Sequence, residues 1–100
     1  MTITTVINEG TVTLVLDGWL DTLSAQELGT RINSVDAASK IVLDFDKVEY
    51  MSSSGLRQVI ACHRKAKEIG AGFEVINVGK EVASVFSLTG LDRKMTVIGK

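Results

Sequence analysis

Phe45-Asp46-Lys47-Val48-Glu49-Tyr50-Met51-Ser52-Ser53-Ser54-Gly55-Leu56 joins two kinds of periodicity, and its reading decides the fold. Just before it, Lys40 to Phe45 carries Ile41-Val42-Leu43 between polar residues, the pattern of a buried strand. Beyond it, apolar residues recur at helical spacing through Leu56, Val59, Ile60, Cys62, Ala66 and Ile69. A helix is therefore predicted from Ser54 to Ile69, stopped by Gly70, and Val48 to Ser54 reads as the loop that feeds it.

The same alternation extends both ways. Upstream, Ile3 to Asn8 and Thr11 to Asp17 read as strands around an Asn8-Glu9-Gly10 turn, an antiparallel hairpin. Gly18 to Leu23 reads as a loop. Ser24-Ala25-Gln26-Glu27 fits a capping box, opening a helix with a Leu28, Ile32, Val35 stripe that fades near Asp36. Downstream, Phe73 to Val78 is a core-type strand, and Glu81 to Leu88 is a short helix with Val82, Val85 and Phe86 inward. Gly90 ends that helix, and Met95 to Ile98 adds a last short strand. The order β-β-α-β-α-β-α-β predicts a single α/β domain over residues 1–100: a mixed, mostly parallel sheet with an N-terminal hairpin and helices packed against it. Loops at the carboxyl ends of such strands gather binding sites. If their strands are neighbours, the two that enter helices bring Asp21 near the serine triplet.

Composition narrows the function. With 45% hydrophobic residues the chain is globular, and at 100 residues it has room for one core. Eleven basic residues against 12 acidic, net charge −1, argue against nucleic-acid binding. The one basic cluster, Arg64, Lys65 and Lys67, is followed at once by Glu68 and reads as a solvated helix face. A lone cysteine, Cys62, excludes an internal disulfide and reads as a small buried hydrophobe. The start has no signal-peptide pattern, and no apolar run suits a membrane helix, so a soluble cytoplasmic protein without membrane insertion is expected. His63 reads as an ordinary helix residue, Asp44, Asp46 and Glu49 as solvated carboxylates, and Gly70-Ala71-Gly72 as a cap and turn. No Ser-His-Asp, Cys-His or metal-ligand set is visible, so no catalytic residue, metal or cofactor is assigned. Trp19 is read as a core residue, with a partner anchor as the second reading.

The serine triplet admits two roles on spacing alone. One serine at a helix start is a cap. Three, followed by Gly55, accept a helix-propensity penalty and suit a docking or modification site. A phosphate there would meet free amides and the positive end of the helix dipole, while burying the dianion against a partner beside Met51 and Leu56 would be costly.

The quoted stretch resembles the signature of the STAS domain, shared by bacterial anti-sigma-factor antagonists and the tails of sulfate transporters. Leu16-Asp17-Gly18-Trp19-Leu20-Asp21 is similar to that family's Gly-x-Leu-Asp, and Phe86-Ser87-Leu88-Thr89-Gly90-Leu91 to its Phe-x-x-Thr-Gly-Leu. The resemblance implies a binding module rather than an enzyme, acting by partner switching. The unmodified protein binds an anti-sigma factor that is also a serine kinase. Phosphorylation of Ser53 ends the binding, and a serine phosphatase restores it. Asp21, Ser52, Ser54, Gly55 and Leu56 align with the partner-binding surface, with Ser52 standing where the family has Asp. The alternative it implies is a stand-alone STAS accessory subunit of a membrane lipid or anion transport complex, docked on its ATPase.

Overall fold

β1 (Thr2–Asn8) and β2 (Thr11–Leu20) pair antiparallel, with Asn8 opposite Thr11. Only Glu9 and Gly10 lie between them, both at positive φ (49° and 83°), the two-residue turn whose twist matches the strands it joins. Gly10 takes this conformation without a Cβ clash. The computed structural model describes residues 1–100 and continues with α1 (Thr22–Asn33), β3 (Lys40–Met51), α2 (Ser53–Glu68), β4 (Gly72–Val78), α3 (Lys80–Leu88) and β5 (Thr96–Gly99). A 3-10 turn, Leu91–Arg93, which the sequence pattern did not announce, precedes β5.

The sheet order is the chain order, β1-β2-β3-β4-β5, and every pair after the hairpin is parallel. Each crossover steps in the same direction, and right-handed crossovers then lay all the helices on one face. That face holds one core. Leu14, Leu16 and Leu20 of β2, Ile41, Leu43 and Phe45 of β3, and Val75 and Val78 of β4 meet Leu28 and Ile32 of α1, Val59, Cys62 and Ala66 of α2, and Val82 and Phe86 of α3. The Phe45 and Phe86 rings lie 6.3 Å apart at its centre. On the opposite face Lys40 pairs with Glu74 (3.0 Å), and Asn77 Nδ2 donates to Asp44 Oδ1 (3.1 Å). Asp44 also accepts from the Asp46 amide, and Asp46 pairs with Lys100 (3.6 Å). No helix is long and apolar enough to cross a membrane.

The order of elements agrees with the sequence reading, but three boundaries do not. The loop expected over Val48 to Ser54 is largely strand: β3 runs on to Met51, with Val48, Tyr50 and Met51 opposite Gly18, Trp19 and Leu20. The loop expected over Gly18 to Leu23 shrinks likewise, since β2 runs to Leu20 and α1 starts at Thr22. Twice along this pairing β3 advances one residue more than β2. Such bulges break period two, so the inward residues of β3 fall at Phe45, Val48 and Met51, three apart, and imitate a loop. Third, α1 is capped one turn earlier than the predicted Ser24/Glu27 box and ends at Asn33, while Val35 packs on the core from beyond its end.

Cys62 is fully buried in α2, and burial pushes its thiol up to about 12. Thiolate is the reactive form. Alkylation by iodoacetamide at neutral pH is therefore expected to be at least about 100-fold slower in the native protein than in urea, following the opening of the fold. Rapid native-state labelling, followed by mass spectrometry, would contradict this burial.

Candidate docking and modification site

A single residue separates each of the two central strands from its helix. Leu20 of β2 is buried, so the chain must turn at Asp21 and begin α1 at once. Asp21 Oδ1 accepts from the Ser24 amide (3.1 Å), and Ser24 Oγ accepts from the Asp21 amide (2.8 Å), a reciprocal capping box. The Ser24 proton is shared between the Trp19 carbonyl (2.7 Å) and the Asp21 carboxylate (3.0 Å), tying the helix start to the strand end.

The same construction recurs at α2. Met51 is buried, and Ser52 turns the chain and caps the helix: its Oγ accepts from the Gly55 amide (3.1 Å) and donates to the Leu20 carbonyl (3.2 Å). The Ser52 amide donates to that same carbonyl (2.9 Å). Asp and Ser are both strong N-caps, so Ser52 caps the helix as the Asp implied by the resemblance would. The Ser hydroxyl adds a donor that an ionised Asp lacks.

These bonds bring the two helix starts together. Thr22 Oγ1 donates to Ser54 Oγ (3.3 Å), and Arg57 Nη2 donates to the same oxygen (3.3 Å). The proximity of the Asp21 turn to the serine triplet, expected from topology, is thus a hydrogen-bonded joint. The three serines differ sharply. Ser52 and Ser54 are half-buried and their hydroxyls are bonded, whereas Ser53 is exposed and its hydroxyl bonds to no group of the chain. Gly55 is buried, and Leu56 is half-buried against the core. The smallness of Gly55 serves contact from within, because a Cβ there would sit 2.5 Å from the Leu20 carbonyl oxygen. The family model of the STAS domain matches residues 2–100 of this chain.

The chain belongs to the STAS domain family. Solved structures share its fold. An anti-sigma factor antagonist from Mycobacterium paratuberculosis is 26% identical over 99% of this chain and 86% of that one, with a TM-score of 0.88. The Bacillus cell fate determinant SpoIIAA, in its phosphorylated form, is 22% identical over 96% and 90%, with a TM-score of 0.77. A sulfate transporter family protein from Wolinella succinogenes is 12% identical over 93% and 80%, with a TM-score of 0.83.

Around the joint of this STAS domain lies apolar surface. Trp19, expected in the core, is 59% exposed, and its ring lies tilted against that of its cross-strand neighbour Tyr50 (ring centroids 5.5 Å apart). Leu23, in the first turn of α1, is exposed as well. Sequence reasoning missed Thr22 and Arg57. Arg57 lies three residues after Ser54, a helical neighbour that spacing could have found. Thr22 is 32 residues from Ser54 and joins it only through the sheet.

The amide and hydroxyl of Ser24 hold the Asp21 carboxyl below the usual carboxylate range. Its folded pKa therefore lies below the unfolded one. The cap adds stability fully above the unfolded value and loses it as pH falls through the folded value. Asn caps as well as Asp but binds no proton in this range. The urea midpoint of the wild type is expected to fall more steeply than that of Asp21→Asn between pH about 5 and about 2. Parallel curves would mean that the Asp21 cap carries no such linkage.

Proposed function

We propose that this STAS domain is an anti-sigma-factor antagonist switched at Ser53. It docks on an anti-sigma factor that is also an ATP-dependent serine kinase, and phosphorylation of Ser53 releases it. A serine phosphatase resets the cycle. The observation that carries this reading is the contrast within the triplet: only Ser53 offers an exposed, unbonded hydroxyl, and it does so in the first turn of α2. A kinase reaches that hydroxyl without breaking a bond of the fold. The phosphate then faces the free amides of the helix start, and Arg57, one turn on, supplies a counter-charge. The fold tolerates the dianion.

A partner seated on Trp19, Leu23, Tyr50 and the Ser53 turn would have to desolvate it, next to the Asp21 carboxylate. Exposed Trp and Tyr are the side chains that most often anchor such interfaces. The protein in this reading is a kinase substrate in the cytoplasm with no catalytic residue, cofactor or nucleic-acid partner of its own.

Affinity capture from source-cell lysate tests this with wild type, Ser53→Ala and Ser53→Asp as bait. An ATP-binding serine kinase is expected with the first two and not with the third. Recovery of a transporter ATPase by all three would sink the antagonist reading in favour of the accessory-subunit alternative.

A further inference from the structure

A second feature lies at the other end of α2. A groove of about 480 Å³ runs between the C-terminal half of this helix and the segment that leads from the 3-10 turn into β5. Its floor is apolar, made by Ile60 of α2 and by Leu91 and Met95. Its rim is cationic: Arg64 and Lys67 from α2 face Lys94 from the opposite wall. His63 completes the lining, its ring 5.3 Å from that of Phe73. The chain's two ion pairs, Lys40–Glu74 and Lys100–Asp46, use none of these cations, and none donates a hydrogen bond to another side chain. The helix dipole favours cations near the end of α2. It gives no reason for Lys94, on a separate element, to converge on the same groove, nor for a like-charged i, i+3 pair at Arg64 and Lys67.

Three unpaired cations over an apolar floor define the ligand's chemistry. We infer that the groove binds a small amphiphilic anion, with a carboxylate or phosphate head held by Arg64, Lys67 and Lys94 and an apolar tail laid on Ile60, Leu91 and Met95. Size favours a small molecule over a protein segment. The volume lies in the range of about 300–1,000 Å³ usual for small-ligand pockets. Ile60 to Lys67 spans only about 10 Å of helix, a short edge on which to build the roughly 800 Å² per partner that a stable protein interface needs. The site is separate from the serine turn, since Ser53 and Arg64 are about 16 Å apart along the helix axis.

The test is a calorimetric titration of the intact protein with dodecyl phosphate and with dodecanoate, each below its micelle concentration. Inorganic phosphate, dodecyltrimethylammonium and a glutamate-rich peptide serve as comparisons. Either anionic amphiphile is expected to bind at least about tenfold more tightly than all three comparisons, and the better of the two identifies the headgroup. Arg64→Glu and Lys94→Glu are each expected to weaken that binding about tenfold while leaving the melting temperature within a few degrees.

A second readout reports the site directly. His63 is the sole histidine, and burial together with the Lys67 charge holds its pKa below the ordinary histidine value. Arg64 and Lys94 line the same groove, and the residue packed against the ring, Phe73, carries no charge. A bound anion offsets these cations, so the NMR titration midpoint of His63 is expected to rise on saturation with the amphiphile. No binding, equal binding of inorganic phosphate or of the cationic amphiphile, or tighter binding of the acidic peptide would overturn the inference. So would charge-reversal variants that bind as the wild type does.

Discussion

Ser53→Asp is expected to weaken binding to the proposed partner, an anti-sigma kinase, by roughly 100-fold or more, about 3 kcal/mol, while leaving the fold intact. The two halves of that expectation have separate causes. The Ser53 hydroxyl makes no bond within the chain, so its replacement removes nothing from the native structure. A carboxylate in the first turn of a helix gains about 0.3–1 kcal/mol from the dipole and free amides, which predicts a melting temperature unchanged or a few degrees higher. In the proposed complex the same carboxylate would be buried against the partner with Asp21 nearby, and the desolvation and like-charge costs act there alone. Ser53→Ala should bind as the wild type does. Calorimetric titration of the three proteins with the kinase, beside their thermal melts, separates the possibilities. Undiminished binding by Ser53→Asp, or binding lost together with stability, would count against Ser53 as the switch.

The sequence carried the architecture because most of the chain keeps a strict period. Val12, Leu14 and Leu16 alternate cleanly, and all three are buried as the pattern requires. The same alternation, carried through Gly18, puts Leu20 inward and Trp19 outward, which is how they lie, with Leu20 fully buried. Reading Trp19 as core weighed the hydrophobicity of one side chain above the parity of its strand. The ends of β2 and β3 were harder to read for a physical reason. Two bulges shift the inward residues of β3 to a spacing of three, and no single-strand pattern encodes a partner strand that advances at a different rate.

The candidate site was legible to the same extent. Its position at the strand ends followed from topology, and the helix-start chemistry of the triplet followed from residue type. Which serine is free did not. Ser54 is occupied by Thr22, 32 residues away, and Ser52 by the carbonyl of Leu20, also 32 residues away. Hydrogen bonds of that range exist only once the sheet has put β2 beside β3. The capping box was misplaced by one turn for a related reason: Ser24 serves as the third residue of α1, and the cap before it, Asp21, is fixed by where the strand ends.

Two helical glycines should respond to alanine with opposite signs. Gly→Ala in a helix interior ordinarily stabilises by up to about 1 kcal/mol. Gly29, in α1, should follow that rule, because the nearest atoms to a new Cβ belong to the amide end of Gln58 (3.0 Å), a flexible side chain whose one bond is a long contact to Cys62 Sγ (4.0 Å). Gly55 should not. A Cβ there would lie 2.5 Å from the Leu20 carbonyl oxygen, 2.8 Å from Leu20 Cγ and 3.1 Å from Met51 Cγ. Neither side can give way cheaply. The Leu20 carbonyl is held by both the amide and the hydroxyl of Ser52, and the Leu20 side chain is fully buried. The start of α2 must therefore back away from β2, straining the Ser52 cap and the Thr22–Ser54 contact that join the two helix starts. Overpacking costs about 1–3 kcal/mol, and a weakened cap adds about 1 kcal/mol. Set against the propensity gain, Gly55→Ala is expected to destabilise by about 1–3 kcal/mol, a fall in melting temperature of roughly 5–20 °C. Urea unfolding of both variants reads the contrast. Gly55→Ala as stable as the wild type would mean that α2 and β2 do not meet so closely, and the tight joint between the two helix starts would have to be given up.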